Sequence, residues 1–250
     1  MSSADFYDAL ASDYDELFGV SDAGLEFVRA EGATAGRRVL DAACGTGAWT
    51  RALAREGVDV YGVDLSARMI ERGRRIAREQ GVDPDRLEAR DMMRIDEHPR
   101  APFALVSCVG NSIAHLASTG EVERFVRVAV AALGGAERPG DDLRSLVLQY
   151  VSVGSLEVGD AMELPPLRSP RATMRRTYRR TDPERIRFDA SLEVAGSEPV
   201  SIAQDLLVLD DGAVAAMLAS AGLRSVETYG GFDRTPVTNG TWVRVVRGWL

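Results

Sequence analysis

The run Arg38-Val39-Leu40-Asp41-Ala42-Ala43-Cys44-Gly45-Thr46-Gly47 constrains the fold more than any other stretch of this chain. An apolar segment ends abruptly in a glycine-rich turn, and the residues up to Glu56 suit a helix. A strand that feeds a helix in this way belongs to a parallel sheet. The order recurs downstream. Gly57 stops the helix, and Val58 to Val63 reads as a second strand ending at Asp64. Ser66 is placed to cap a helix to about Gln80, which Gly81 closes. Leu87 to Arg90 gives a third strand with Asp91 at its end, and Phe103 to Val109 a fourth, followed by Gly110-Asn111-Ser112. Glu121 to Leu133 is helical with one apolar face, and Ser145 to Tyr150 is a fifth strand.

The pattern changes after Tyr150. Residues 151–170 carry Gly and Pro at loop frequency, and three alternating segments follow near 171–180, 185–194 and 199–208, separated by Asp182-Pro183 and Gly196-Ser197. These read as antiparallel strands of an inserted lid. Asp211-Gly212 then opens a helix to about Ala221, and two more strands are expected near 223–229 and 241–247. The expected fold class is α/β, a Rossmann-like, seven-stranded, mostly parallel sheet with helices on both faces and an inserted antiparallel β subdomain. The expected units are an N-terminal helical segment (1–35), a core (36–150), the lid (151–209) and a closing helix and strands (210–250). The N-terminal segment, with Phe6, Leu10, Tyr14, Leu17 and Phe18, is amphipathic and is expected to fold over the sheet.

Charge narrows the function classes. The net charge is −8, against a general nucleic-acid binder, whose phosphate contacts need a basic surface. All 30 basic residues are Arg, so lysine chemistry, including a Walker-type phosphate loop, is excluded. Residues 1–35 hold eight acids against Arg29 alone, whereas Arg168 to Arg187 holds eight arginines. They read as two solvated faces, as segments that approach each other, or as a source of arginines for an anionic substrate. Two cysteines, Cys44 and Cys108, in apolar strand-like runs fit buried thiols and a reducing cytoplasm. No stretch has the pattern of a signal peptide or a membrane span, so a cytoplasmic location without a membrane partner is expected. The two Cys and two His have no metal-ligand spacing, and no metal is expected.

In an open parallel sheet, ligands bind beyond the carboxyl ends of the strands. Gly45 and Gly47 allow close approach of backbone to a ligand there. Asp64 can accept two hydrogen bonds from ribose hydroxyls, and Asp91-Met92 pairs an acceptor with an apolar surface suited to adenine. An adenosine-bearing cofactor follows. Dinucleotide sites use G-x-G-x-x-G, and here Thr50, after Trp49, holds the third position. S-adenosyl-L-methionine needs no pyrophosphate cradle and fits what remains.

These residues carry a resemblance. Val39 to Gly47 resembles the first motif of class I S-adenosylmethionine-dependent methyltransferases, and the order of Asp64, Asp91 and the fifth strand is similar to that family. Cys108-Val109-Gly110-Asn111-Ser112-Ile113-Ala114-His115-Leu116 resembles the fourth-strand motif of glycine and sarcosine N-methyltransferases. The resemblance covers roughly residues 5–150. It implies that Ala43, Cys44 and Gly45 border the methionine part of the cofactor and that Asp64 binds the ribose. Leu65 and Met69 would lie against the adenine, Asp91 and Met92 beside its amine, and the Cys108 carbonyl near the methionine amine. Tyr7 and Tyr14 match positions where the family puts aromatics over the cofactor, although both also suit the core face of an amphipathic helix. Asn111 and His115 would face the acceptor, and Asn111, His115 and Tyr14 are the candidate catalytic residues. Glycine-specific members carry an Arg after the fifth strand, where this chain has Leu148-Gln149-Tyr150-Val151-Ser152. Arg175 or Arg179 of the lid could substitute, but alternation alone does not say which face they occupy.

The expected activity is methylation of an amine nitrogen on a small polar metabolite or amino acid. The alternatives are O-methylation with His115 as base and a module that binds the cofactor without chemistry. His98, in a Glu-His-Pro-Arg loop, is expected to be exposed. The subfamily resemblance also implies homo-oligomer contacts through the lid.

Overall fold

The structure, a computed structural model, describes residues 14–135, 143–153 and 156–250. Its centre is a seven-stranded sheet of β1 (Arg38–Ala42), β2 (Asp59–Asp64), β3 (Leu87–Ala89), β4 (Leu105–Cys108), β5 (Ser145–Val151), β10 (Arg224–Tyr229) and β11 (Val243–Trp249), in the order β10-β11-β5-β4-β1-β2-β3. β1 to β5 are parallel, β11 runs antiparallel to β5, and β10 antiparallel to β11. β1 pairs with β2 on one side and β4 on the other, so the strand order reverses at the glycine turn. That reversal opens a crevice at the strand ends. Val39, Leu40, Leu105, Val106, Leu146 and Val147 are wholly buried, as unbroken apolar strands covered on both faces must be.

The helices are α1 (Tyr14–Leu17), α2 (Asp22–Ala30), α3 (Ala48–Arg55), α4 (Ala67–Glu79), α5 (Thr119–Ala132) and α6 (Asp211–Ser220). The Ser66 hydroxyl caps α4 by accepting the Met69 N–H at 3.3 Å. Thr50 takes the helix position that a glycine holds in dinucleotide-binding turns. It fits because the facing residue on β2 is Gly62, where a Cβ would stand 2.4 Å from Thr50 Oγ1. Close packing of helix on strand is kept, with the small residue moved across the contact.

A second, antiparallel sheet contains four strands, β6 (Ala161–Arg168), β7 (Ala172–Arg180), β8 (Arg185–Val194) and β9 (Val200–Leu207), in that order. Alternation in the sequence predicts three of them, near 171–180, 185–194 and 199–208. β6 carries Pro165 and Pro166, and its register against β7 shifts between Leu164 and Leu167. Prolines and a bulge look like a loop in sequence, but an edge strand tolerates both. The sheet shares one apolar core with the end of β4: Leu164, Met174, Tyr178, Phe188 and Leu206 join Ile113 and Ala114.

Among the described ion pairs, none joins the acid-rich N-terminus to the arginine-rich lid. Asp15 of α1 pairs with Arg51, and buried Glu31 with Arg234 and Arg247. The Trp249 indole also donates to Glu31, at 2.7 Å. Lid arginines bind backbone carbonyls instead, within the lid and across to the core. Arg180 donates to the carbonyls of Leu156 and Pro183, and Arg185 to that of Ala117. Among the described residues no helix is long and apolar enough to cross a membrane.

Candidate active site

The glycine turn is held open by left-handed backbone at Ala43, Gly45 and Gly47, with φ of 56°, 59° and 75°. Its geometry is locked from two sides. The Gly45 N–H donates to Asp64 Oδ2 and the Ser66 N–H to Asp64 Oδ1, both at 2.8 Å. One carboxylate at the end of β2 thus ties the turn to the start of α4, and each oxygen keeps a lone pair for another donor. Burial raises the Asp64 pKa, and the two backbone N–H groups counter that rise. From the other side, the Asp15 carboxylate accepts from the Thr46 hydroxyl and from Arg51, a buried arginine that also donates to the Thr46 carbonyl. Asp15 was not singled out from sequence, because the contact joins residues 31 positions apart.

A cavity of about 210 Å³ opens beside this turn. Asp41, Ala43, Cys44, Ala48 and Trp49 line it on the turn side. Val109, Gly110, Asn111 and His115 come from the end of β4, Gln149 and Val151 from β5, and Met174, Arg176, Tyr178, Phe188 and Leu206 from the second sheet. Phe18 and Trp242 complete the wall.

Asp41 is the unusual group. It is 1% exposed, Oδ2 accepts the Thr50 hydroxyl at 2.9 Å, and Oδ1 has no hydrogen-bond partner. Burial pushes its pKa up to about 7. A buried carboxylate oxygen without a donor is costly. A cation entering the cavity would satisfy it and restore the ionised form. The Cys44 and Cys108 thiols are also raised by burial, so both stay protonated at neutral pH and neither is a ready nucleophile.

At the end of β4, Asn111 sits in the left-handed region (φ 68°), and its Oδ1 accepts the Val151 N–H at 2.8 Å. Gln149 Oε1 likewise accepts the Gly110 N–H at 2.6 Å. The amide carbonyls therefore stitch β4 to β5, and the Asn111 NH2 is the part left to face a ligand. His115 stands on the exposed rim of the cavity. Desolvation by the protein around the ring lowers its pKa, so it is neutral at pH 7.

Ala43, Cys44, Asn111 and His115 thus line one cavity. Gly45 and Asp64 lock the turn beside it, and Cys108 is fully buried beneath. Leu65 is 78% exposed next to Asp64, while Met69 is buried. Asp91 is exposed and caps a short 3-10 turn by accepting the Met93 N–H at 2.9 Å, with Met92 half-buried behind it. Tyr7 lies outside the described residues, as does the side chain of Tyr14.

The structure overturns the exposed placement expected for His98 and answers which face the lid arginines occupy. His98 is buried rather than exposed: its Nδ1 accepts the Arg100 N–H at 3.1 Å, and its ring packs on Tyr61 and Phe103. Neither Arg175 nor Arg179 faces the cavity. Both are exposed on β7, and Arg175 borders a polar depression on the opposite face with Glu163 and Asp189. Arg176 is the lid arginine that lines the cavity. It shares one face of β7 with the buried Ala172, Met174 and Tyr178, each an even number of positions away. Asp41, Trp49 and Gln149 stand in the motifs without an assigned role, Phe18 belongs to the amphipathic segment expected over the sheet, and Trp242 carries no local signal.

Residues 39–134 match the methyltransferase domain family. The chain is similar in structure to a S-adenosylmethionine-dependent methyltransferase from Clostridium acetobutylicum, with a TM-score of 0.76, 17% identity and 98% of each chain covered. The fold is that of the S-adenosylmethionine-dependent methyltransferases. Among curated proteins, the chain is 36% identical over 110 residues to rat (Rattus norvegicus) glycine N-methyltransferase, covering 41% of this chain and 37% of that one. It is 31% identical over 93 residues to a ubiquinone biosynthesis O-methyltransferase of Methylococcus capsulatus, covering 37% and 39%. The chain thus spans well under half the length of these curated relatives.

The residues present fit S-adenosylmethionine. The partnerless oxygen of Asp41 suits its cationic end, and the free lone pairs of Asp64 suit ribose hydroxyls. α3 opens with Ala48 and Trp49 on the cavity wall, an indole where a pyrophosphate-binding turn needs space. Among the described residues no group of His, Cys, Asp and Glu is arranged to hold a metal ion.

Proposed function

We propose that this chain is an S-adenosylmethionine-dependent methyltransferase acting on the amine nitrogen of a small polar acceptor. One observation carries the reading: a single cavity runs from the glycine turn to the end of β4, under the second sheet. Donor and acceptor sides share this one space, which a module that only binds cofactor has no need to build. When bound, the cofactor supplies an electrophilic methyl group on a sulfonium. Asp41 then pairs with its cationic end, Asp64 with its ribose, and Leu65 and Met92 flank its base. The Asn111 NH2 orients the acceptor, and Met174, Tyr178, Phe188 and Leu206 exclude water from it.

An amine acceptor suits a cavity whose thiol stays protonated and whose one carboxylate, Asp41, is taken by Thr50 on one oxygen and by the cationic end of the cofactor on the other. A neutral amine is nucleophilic without a base. The O-methylation reading has one observation in its favour: His115 is neutral and lines the cavity, as a general base must. The curated relatives include both reaction types. Isotope-labelled methyl transfer to paired small amines and alcohols, followed by mass spectrometry, separates the readings. Label on nitrogen, with His115→Gln losing less than about tenfold in rate, is expected. Label on oxygen, with a loss of about 100-fold or more in His115→Gln, would replace the amine reading. Cofactor binding with no transfer to any acceptor would favour the non-catalytic module.

A further inference from the structure

We propose that Arg176 is the anion-binding group of the acceptor site and that the acceptor carries a carboxylate. The inference rests on the methyltransferase reading and deepens it. Arg176 lines the cavity from the second sheet, and Asp41 lines it from the glycine-turn side. One of its five N–H donors is used, with Nη2 donating to the Pro165 carbonyl at 3.1 Å. Its Nε is buried and has no partner. Neighbouring arginines differ: Arg180 and Arg185 are consumed by backbone carbonyls, and Arg187 pairs with Asp205. The walls beside Arg176 are apolar or aromatic, Met174, Tyr178, Phe188, Leu206 and Trp242. Burial lowers its pKa, and Tyr178, not a carboxylate, is the ionisable neighbour that acts on it.

A guanidinium half-withdrawn from water without a counter-ion is a cost that a bound anion removes. The planar fork of Nε and Nη2 matches a carboxylate, which offers two parallel acceptors. Charge balance selects among anions. One guanidinium neutralises one carboxylate, whereas a phosphate dianion would keep an unpaired charge against apolar walls. Asp41, which lines the same cavity, would repel that excess charge further. The carboxylate on Arg176 and the amine toward the glycine turn would orient the acceptor along the cavity.

The test uses the full chain saturated with S-adenosylhomocysteine and reads tryptophan fluorescence, since Trp49 and Trp242 line the cavity. The probes are acetate, propionate and benzoate, each against its amide. Saturable binding of at least one carboxylate is expected, about tenfold or more tighter than its amide. Arg176→Gln should abolish that preference, Arg176→Lys should keep part of it, and Arg175→Gln should leave it intact. Affinity for S-adenosylhomocysteine should stay within about twofold in all three variants. Should Arg176→Gln not fold, the wild-type carboxylate–amide contrast and Arg176→Lys still decide. No binding of any carboxylate, or equal binding of acid and amide, would overturn the inference. A tenfold loss of S-adenosylhomocysteine affinity in folded Arg176→Gln would overturn it too, by giving Arg176 to the cofactor. Failure of S-adenosylhomocysteine to bind the wild type is a different result, which removes the cofactor reading itself.

Discussion

The two sides of the cavity are built on different principles. The turn side is made mostly by backbone: left-handed residues at 43, 45 and 47, with Asp64 accepting two N–H groups. The lid side is made by side chains, Met174, Arg176, Tyr178, Phe188 and Leu206, projected from three strands of the second sheet. Backbone geometry fixed by glycines serves a ligand that does not vary. Side chains on an inserted sheet can be exchanged without disturbing the turn, so specificity belongs there. Variants on the turn side should therefore act on cofactor affinity, and variants on the lid side on acceptor affinity.

The largest effect is expected from Asp64→Ala, which removes the proposed ribose acceptor and leaves the Gly45 and Ser66 N–H groups unpaired. Cofactor affinity should fall about 100-fold or more by calorimetry, with stability reduced by about 1–3 kcal/mol. Gly73→Ala comes next, because a Cβ there would stand 2.2 Å from the Thr46 carbonyl oxygen. A loss of roughly 1–3 kcal/mol in thermal or urea unfolding is expected, with a matching loss of cofactor binding through the displaced turn. An unchanged Tm would show that α4 does not brace the turn.

Asp41→Asn sharpens the comparison through pH. The folded carboxyl has its pKa raised from 3.8 to about 7, so the native state holds the proton more tightly than the unfolded chain. This contribution favours folding below the unfolded value and is lost as pH rises through 7. Without cofactor, Asp41→Asn should gain stability relative to wild type at pH 8, and the gain should shrink toward pH 5. Its cofactor affinity should fall about tenfold. Gain at both pH values alike would mean that Asp41 is not held near neutrality. The smallest effect is expected from Arg185→Gln, which cuts one lid-to-core hydrogen bond at the Ala117 carbonyl. Cofactor affinity should change less than about twofold while turnover falls a few-fold; a larger change in cofactor affinity would join the two sides.

The same contrast governs what could be read in advance. β1, the glycine turn, Asp64 and the Ser66 cap were legible because each is a local pattern with one conformational meaning. Parallel strands buried on both faces leave continuous apolar runs, so the core sheet was legible too. β6 was not, because Pro165 and Pro166 hide an edge strand behind loop composition. His98 was missed because burial depended on Tyr61 and Phe103, which come from elsewhere in the chain. Asp15 on Arg51, and Trp242 in the cavity wall, are likewise contacts that only the assembled fold creates. Arg176 was recoverable, since its even spacing from Met174 and Tyr178 puts it on the apolar face; the pattern had only to be phased on those two residues.

The central claim is that the strand-end turn is an S-adenosylmethionine site. Calorimetric titration of the wild-type chain with S-adenosylmethionine and with S-adenosylhomocysteine tests it most directly. One saturable site per chain for both ligands, with affinity collapsing in Asp64→Ala, is the predicted result. No binding by the folded wild type, or binding that Asp64→Ala leaves untouched, would contradict it.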